Sequence, residues 1–205
     1  MAARSEPAFT RLDVDQRRAQ LLERGRVLFT RHPYDQLSMA AIARDVGISK
    51  ALLYHYFPSK QAYFVATLQD AAAELAARVR PDDGLAPRAQ LDAALRAWLQ
   101  WVEENRETYA KLLLAAGSVQ DVRELIEAVR TATVTLILER LGADPGAPAL
   151  RAAVTGWLWS MDGVCLEWTT KEGLVFDQVH GMLAESLPAY VRAAGDAATA
   201  GKLTG

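Results

Sequence analysis

Apolar residues recur at spacings of three and four along almost the whole chain, the period of helices that bury one face. Leu21, Leu22, Gly25, Leu28 and Phe29 stripe a first helix expected to open at Asp13 or Asp15 and to end at Pro33. Phe64, Leu68, Ala71 and Leu75 mark a longer helix from Ser59 to about Val79, broken by Pro81-Asp82-Asp83-Gly84. Leu91, Leu95, Trp98 and Val102 predict a helix from Pro87 to Asn105, and Tyr109, Leu112 and Leu113 a short one from Arg106 to Ala116, closed by Gly117. Val119, Val122, Ile126, Val129, Thr133, Leu136 and Leu141 predict a long amphipathic helix over 119–141. After the loop GADPGAP (142–148) come helices over 149–170 and 176–194, separated at Gly173. Pro188 falls inside the second and predicts a kink, because it lacks a backbone donor. Residues 195–205, GDAATAGKLTG, read as a frayed tail. No alternating strand pattern occurs, so the expected fold class is all-α.

The most informative stretch is SMAAIARDVGISKALLYHYFPSK, residues 38–60. Ser38 is suited to cap a short helix with Met39, Ile42, Ala43 and Val46 on one face, and Gly47 supplies a turn position that a Cβ would resist. Ile48 plugs the turn, Ser49 caps a second short helix over Lys50–Tyr56, and Pro58-Ser59 stops it. Two short helices joined by a tight glycine turn form a helix-turn-helix, whose second helix can lie in a DNA major groove. The candidate DNA-contacting residues are Ser38, Ser49, Lys50, Ala51, Leu52, Tyr54, His55 and Lys60. Lys50 offers a point charge to phosphate, Tyr54 and His55 can donate to phosphate or a base edge, and Lys60 adds backbone anchoring with the amides that follow Ser38 and Ser59. Leu52 on the groove side offers only apolar contact, as with a thymine methyl. Leu53 and Phe57 hold the helix in its socket, while Tyr56 fits either DNA or a half-buried core position. Arg4, Arg11, Arg17 and Arg18, in or beside an arm over residues 1–12, are further phosphate candidates.

Charge supports a nucleic-acid reading only through its distribution. The chain is −2 overall, yet residues 1–60 hold ten Lys and Arg against six Asp and Glu. A basic head on an acidic body suits a DNA reader with a second, non-DNA-facing domain. The 51% hydrophobic content excludes global disorder, and no apolar run is long enough to cross a bilayer. The N-terminal MAARSEPAFTR lacks a secretory apolar core, and the single Cys165 suits a reducing cytoplasm, the expected location.

Phe29, Tyr34, Ser38, Ile42-Ala43, Gly47-Ile48-Ser49, Leu53-Tyr54, Phe57 and Ser59-Lys60 together resemble the DNA-binding domain of the TetR family of bacterial transcription regulators. These positions span about a quarter of the chain, and the remainder is similar in helical layout only. Pro33 stands where the family usually has glycine, and Ala51-Leu52 where it has a small residue followed by Ser or Thr. The resemblance implies residues 1–60 as a helix-turn-helix DNA-binding domain and 61–205 as a helical ligand-binding and dimerisation domain. It implies a homodimer formed through helices 149–170 and 176–194, a palindromic double-stranded DNA operator, and release of repression by a small apolar or amphipathic effector. Gly156, Ser160 and Gly163 give the first of those helices a small face beside a bulky one of Trp157, Met161, Cys165 and Trp168.

Trp98, Trp101, Tyr109, Met161, Cys165 and Trp168 are the candidate ligand-binding residues, with the alternative that they are core. Glu167 and Asp162 are the polar candidates for a cation or hydroxyl. An enzyme is not expected, nor a metal or cofactor. His32, His55 and His180 are scattered, Glu103-Glu104 reads as a solvated face, and neither a phosphate loop nor a nucleophile elbow occurs. A helical protein-interaction module and a transcriptional activator are the competing readings.

Overall fold

The computed structural model describes residues 11–80, 82–116 and 120–204. Among the described residues ten helices follow in order: α1 (Arg11–Arg31), α2 (Met39–Asp45), α3 (Lys50–Tyr56), α4 (Lys60–Arg78), α5 (Pro87–Glu104), α6 (Arg106–Ala116), α7 (Gln120–Arg140), α8 (Pro148–Thr170), α9 (Phe176–Ala193) and α10 (Ala197–Gly201). A 3-10 turn, Tyr34–Gln36, lies between α1 and α2. Among the described residues there is no strand, and the fold is all-α as expected. Helix α1 is already formed at Arg11, so Asp13 and Asp15 lie within it. The apolar stripe marks where burial begins, at Leu21, and the exposed turns before it leave no such signature.

The chain divides into two compact units, one through Ala71 and one from Ala72. The break falls inside α4 rather than ahead of it, because Tyr63, Phe64 and Thr67 are buried in the core of the first unit. That core joins α1, α2 and α3 through Leu21, Phe29, Ile42, Leu53 and Phe57, with the rings of Phe29 and Phe64 4.7 Å apart and those of Phe57 and Tyr63 4.6 Å apart. Gly25 is where α1 and α4 meet: a Cβ there would lie 2.6 Å from Thr67 Oγ1 and 2.7 Å from Tyr63 Oη.

In the second unit α8 is flanked by α6, α7 and α9, and buries Val154, Trp157, Cys165 and Trp168. Gly156 lets α9 approach, since a Cβ there would stand 3.1 Å from Tyr190 Cε1. The expected frayed tail is ordered instead. Asp196 caps α10 by accepting from the Thr199 amide at 2.8 Å, Ala200 and Leu203 are buried, and Lys202 Nζ donates to the Leu141 carbonyl at the end of α7. The tail's composition resembles a loop because the partners that order it lie far back along the chain.

Pro188 sits within α9 and leaves the Ala184 carbonyl without its helical N–H donor. Arg88 of α5 supplies one, with Nη1 3.3 Å from Ala184 O and 3.0 Å from Leu203 O, while Nη2 reaches Glu185 Oε1 at 2.6 Å. Arg88→Met should therefore lower stability by about 2 kcal/mol in urea unfolding, the order expected when part-buried carbonyls lose their donor. Arg88→Lys should recover less than half of it, since one ammonium does not reproduce the planar fork.

Candidate functional sites: a helix-turn-helix face and an apolar cavity

Local chemistry builds the first site. Ser38 Oγ accepts from the Ala41 amide at 3.2 Å and Ser49 Oγ from the Leu52 amide at 3.1 Å, so each caps a helix start. The turn between α2 and α3 closes with Gly47 N donating to Arg44 O at 3.3 Å and Ile48 N to Ala43 O at 2.9 Å. This pairing places Gly47 at φ +74°, the left-handed region open to glycine. Arg24 of α1 then satisfies the Val46 carbonyl at 3.1 Å. The relative setting of α2 and α3 is thus held by backbone hydrogen bonds as well as by the fully buried Ile42 and Leu53.

On α3 the structure brings Lys50, Ala51, Leu52, Tyr54 and His55 to the exposed surface, while Leu53 and Phe57 point into the core. Leu52 is 36% and Tyr54 43% exposed, high values for large apolar and aromatic side chains. Lys50 Nζ sits 5.7 Å from the Tyr54 ring centroid, so cation and ring share one face. Tyr56 is half-buried and packs edge-on against His55. Lys60 is engaged inside the unit: Nζ donates to the Tyr34 carbonyl at 2.9 Å and lies 4.1 Å over the Tyr34 ring. Its charge therefore ties the 3-10 turn to the start of α4, while Ser59 caps that helix through the Ala62 amide. Arg17 and Arg18 stand on α1, Arg18 with its guanidinium 5.5 Å from the Phe57 ring; Arg4 and the Arg11 side chain lie outside the described residues. Arg44, exposed on α2, is a cation that sequence reasoning passed over, although its place opposite Ile42 and Ala43 on an amphipathic helix marks it.

The second site is a cavity of about 160 Å³ wholly within the second unit, between α5, α7 and α8. Of the six candidate ligand residues, Trp98 and Met161 line it. Trp101, Tyr109, Cys165 and Trp168 are buried in the core around it and are not among the lining side chains. Trp98 meets Tyr109 edge-on, and Arg106 lies 4.9 Å over the Trp168 ring. Tyr109 donates to Asp162 Oδ1 at 2.9 Å, and Arg130 Nη2 binds Asp162 Oδ2 at 2.6 Å, so this carboxylate is already occupied. Burial, with the Asp162 charge adding to it, raises the Tyr109 hydroxyl and pushes the Cys165 thiol up to about 12 from 9.0. Cys165 stays a neutral thiol, and the stability this contributes is full below pH 9 and lost as pH rises towards about 12.

Glu167 pairs with Lys171 at 2.8 Å at the surface, away from the cavity lining. The polar side chains that do line the cavity are Gln90, Thr133 and Arg140, none of them predicted from sequence. Arg140 reads as an ordinary cation at a helix C-terminus, and only the fold places it at the cavity. Among the described residues no group of three or more His, Cys, Asp or Glu is arranged to hold a metal ion, and no helix is long and apolar enough to cross a membrane.

Two family models match this chain, one described as bacterial regulatory proteins of the tetR family over residues 21–67 and one as a tetracyclin repressor-like C-terminal domain over residues 87–189. The chain is 30% identical over 146 residues to the HTH-type transcriptional activator FasR of Mycolicibacterium smegmatis, a match spanning 69% of this chain and 66% of that protein. It is 27% identical over 171 residues to the HTH-type transcriptional regulator BetI of Rhizobium meliloti, spanning 78% of this chain and 82% of that one. A tetR-family transcriptional regulator from Streptomyces coelicolor superposes with a TM-score of 0.79 at 27% identity, covering 92% of this chain and 87% of its own.

Proposed function

This chain belongs to the TetR family of bacterial transcription regulators and is a DNA-binding regulator, and we propose that it acts as a ligand-responsive repressor. In this reading two copies in the cytoplasm hold a palindromic operator and release it when a small apolar or amphipathic molecule fills the cavity of the second unit. One observation carries the DNA half: Lys50, Leu52, Tyr54 and His55 all stand exposed on a helix pinned from behind by buried Leu53 and Phe57. Lys50 neutralises phosphate, Tyr54 and His55 donate to phosphate or base edges, and Leu52 covers a thymine methyl. Ser38, Ser49 and Ala51 fit close to the backbone, while Lys60 acts by positioning α4 through Tyr34. The DNA-binding domain is the unit through Ala71, and the unit from Ala72 carries the cavity and the dimer face.

The homodimer is proposed to form through α8 and α9. Trp159 is 57% exposed there, Met182 and Tyr190 are exposed as well, and a Cβ on Gly163 would meet no described atom within 4 Å. Large apolar groups beside an open small-residue position suit a second helix pair. The relative FasR is named an activator, and the same DNA-reading unit serves either sign of regulation, which promoter-reporter output with and without the protein separates. A hundredfold release by ligand requires about 2.7 kcal/mol of difference in its affinity for the two states.

Footprinting on the DNA beside its own gene tests the reading. A symmetric protected site is expected, with half-sites about 34–36 Å apart or a multiple of that. Occupancy should fall steeply between low and moderate salt as bound counterions are released. Salt-insensitive or absent DNA binding would support the protein-interaction module instead. Within the site, replacing the thymine that Leu52 covers by uracil should weaken binding about fourfold, the worth of one buried methyl. Leu52→Ala should bind both versions equally.

A further inference from the structure

We propose that the cavity takes a compact hydrocarbon carboxylate, whose apolar part fills the space between α5, α7 and α8 and whose carboxylate takes the Arg140 guanidinium from Asp83. The proposal rests on reading the cavity as the effector site, and it names the effector's chemistry.

Size sets the hydrocarbon. A cavity of about 160 Å³ lined by Leu95, Leu136, Ile137, Trp157, Leu158 and Met161 is close in volume and character to apolar protein cavities that stay dry and bind benzene. It therefore suits a ring or chain of about six to eight carbons. Charge sets the head group. Among the described residues no carboxylate lines the cavity, and the two acidic groups expected to serve a cation are occupied elsewhere, Asp162 by Arg130 and Tyr109 and Glu167 by Lys171. A cationic ligand would lose its water and gain no counter-charge. Gln90 and Thr133 are also committed, the amide donating to Leu85 O at 2.8 Å and the hydroxyl to Val129 O at 2.9 Å. Arg140 is the ionic group that remains at the cavity.

Arg140 already holds a carboxylate. Its Nη1 pairs with Asp83 Oδ1, from the loop between α4 and α5. This pair is open to water: the Asp83 side chain is 82% exposed, and exposed pairs contribute little. A ligand carboxylate anchored by buried hydrocarbon is presented to the same guanidinium at high local concentration, and the exposed pair with Asp83 costs little to exchange. Exchange frees the α4–α5 loop from α7. Since α4 runs from the DNA-binding unit into the second one, the loop at its end is where occupancy of the cavity first reaches the rest of the chain.

Octanoate, octanol and octyltrimethylammonium, titrated by calorimetry into the full chain at one ionic strength, test this. Octanoate should bind about tenfold tighter than octanol, and the quaternary amine weakest. Arg140→Gln should erase the octanoate advantage and leave octanol unchanged, which also shows the cavity intact. Asp83→Asn should tighten octanoate several-fold and leave octanol unchanged. Equal binding of octanoate and octanol to the wild type, or an octanoate preference that survives Arg140→Gln, would overturn the carboxylate assignment while the cavity stands as a ligand site. If none of the three probes binds, the effector reading falls with it. Binding that leaves operator occupancy unaltered would sink the ligand-released mechanism alone.

Discussion

Arg130→Met should lower the unfolding free energy of the second unit by about 3 kcal/mol, the low end of what breaking a buried ion pair costs. Arg130 is 8% exposed and bridges α7 to α8: it binds Asp162 at 2.6 Å and Glu127 at 2.7 Å, and lies 4.2 Å over the Trp159 ring. Removing the guanidinium leaves Asp162 in a low-dielectric setting with the Tyr109 hydroxyl as its remaining donor among these groups. The carboxylate keeps some access to water, its side chain being 22% exposed, which holds the loss to the lower end. Arg130→Met combined with Asp162→Asn should recover most of the stability, because an apolar and neutral pair leaves no stranded charge. Urea unfolding followed by far-ultraviolet circular dichroism measures both. A double variant as unstable as the single one would mean that Arg130 acts through packing on Trp159 rather than through charge.

Gly25→Val should cost the DNA-binding unit about 3 kcal/mol and abolish operator binding at temperatures where the wild type still binds, since overpacking a filled contact costs 1–3 kcal/mol or more. The new Cβ would fall on Thr67 Oγ1 and Tyr63 Oη, and neither can yield. Tyr63 Oη donates to the Leu21 carbonyl on α1, and Thr67 Oγ1 to the Tyr63 carbonyl on α4. Moving them takes the buried Tyr63 and Thr67 hydroxyls away from their acceptors, while both carbonyls keep their helical N–H donors. Gly25→Ala sets two effects against each other. Helix propensity favours alanine by about 1 kcal/mol, while the clash costs more, so a net loss of about 1–2 kcal/mol is expected. Thermal unfolding alongside operator binding by fluorescence anisotropy reads both variants. An alanine variant more stable than wild type would show that α1 and α4 separate freely at this point.

The helix-turn-helix was legible because its determinants are local. Ser38, Gly47 and Ser49 act on amides and carbonyls a few residues away, and a two-turn helix assigns Leu53 inward and Lys50, Tyr54 and His55 outward by period alone. Lys60 shows the limit of that reasoning. A lysine at a helix start beside a DNA motif reads as a phosphate anchor, yet the Tyr34 carbonyl and ring, brought to it by folding, engage it first.

The amino-acid sequence by itself determined an all-helical chain, the position and exposed face of its recognition helix, and the family, because apolar period, caps and turn glycines are written in adjacent residues. Only the tertiary structure decided which large side chains border the cavity, that Arg140 is among its lining residues, that Arg88 answers the carbonyl Pro188 leaves open, and that the C-terminal residues fold back as α10. Periodicity says that a side chain is buried without saying against what. A cavity is the space left where α5, α7 and α8 fail to fill the volume between them, and no one of these helices carries that information in its own sequence.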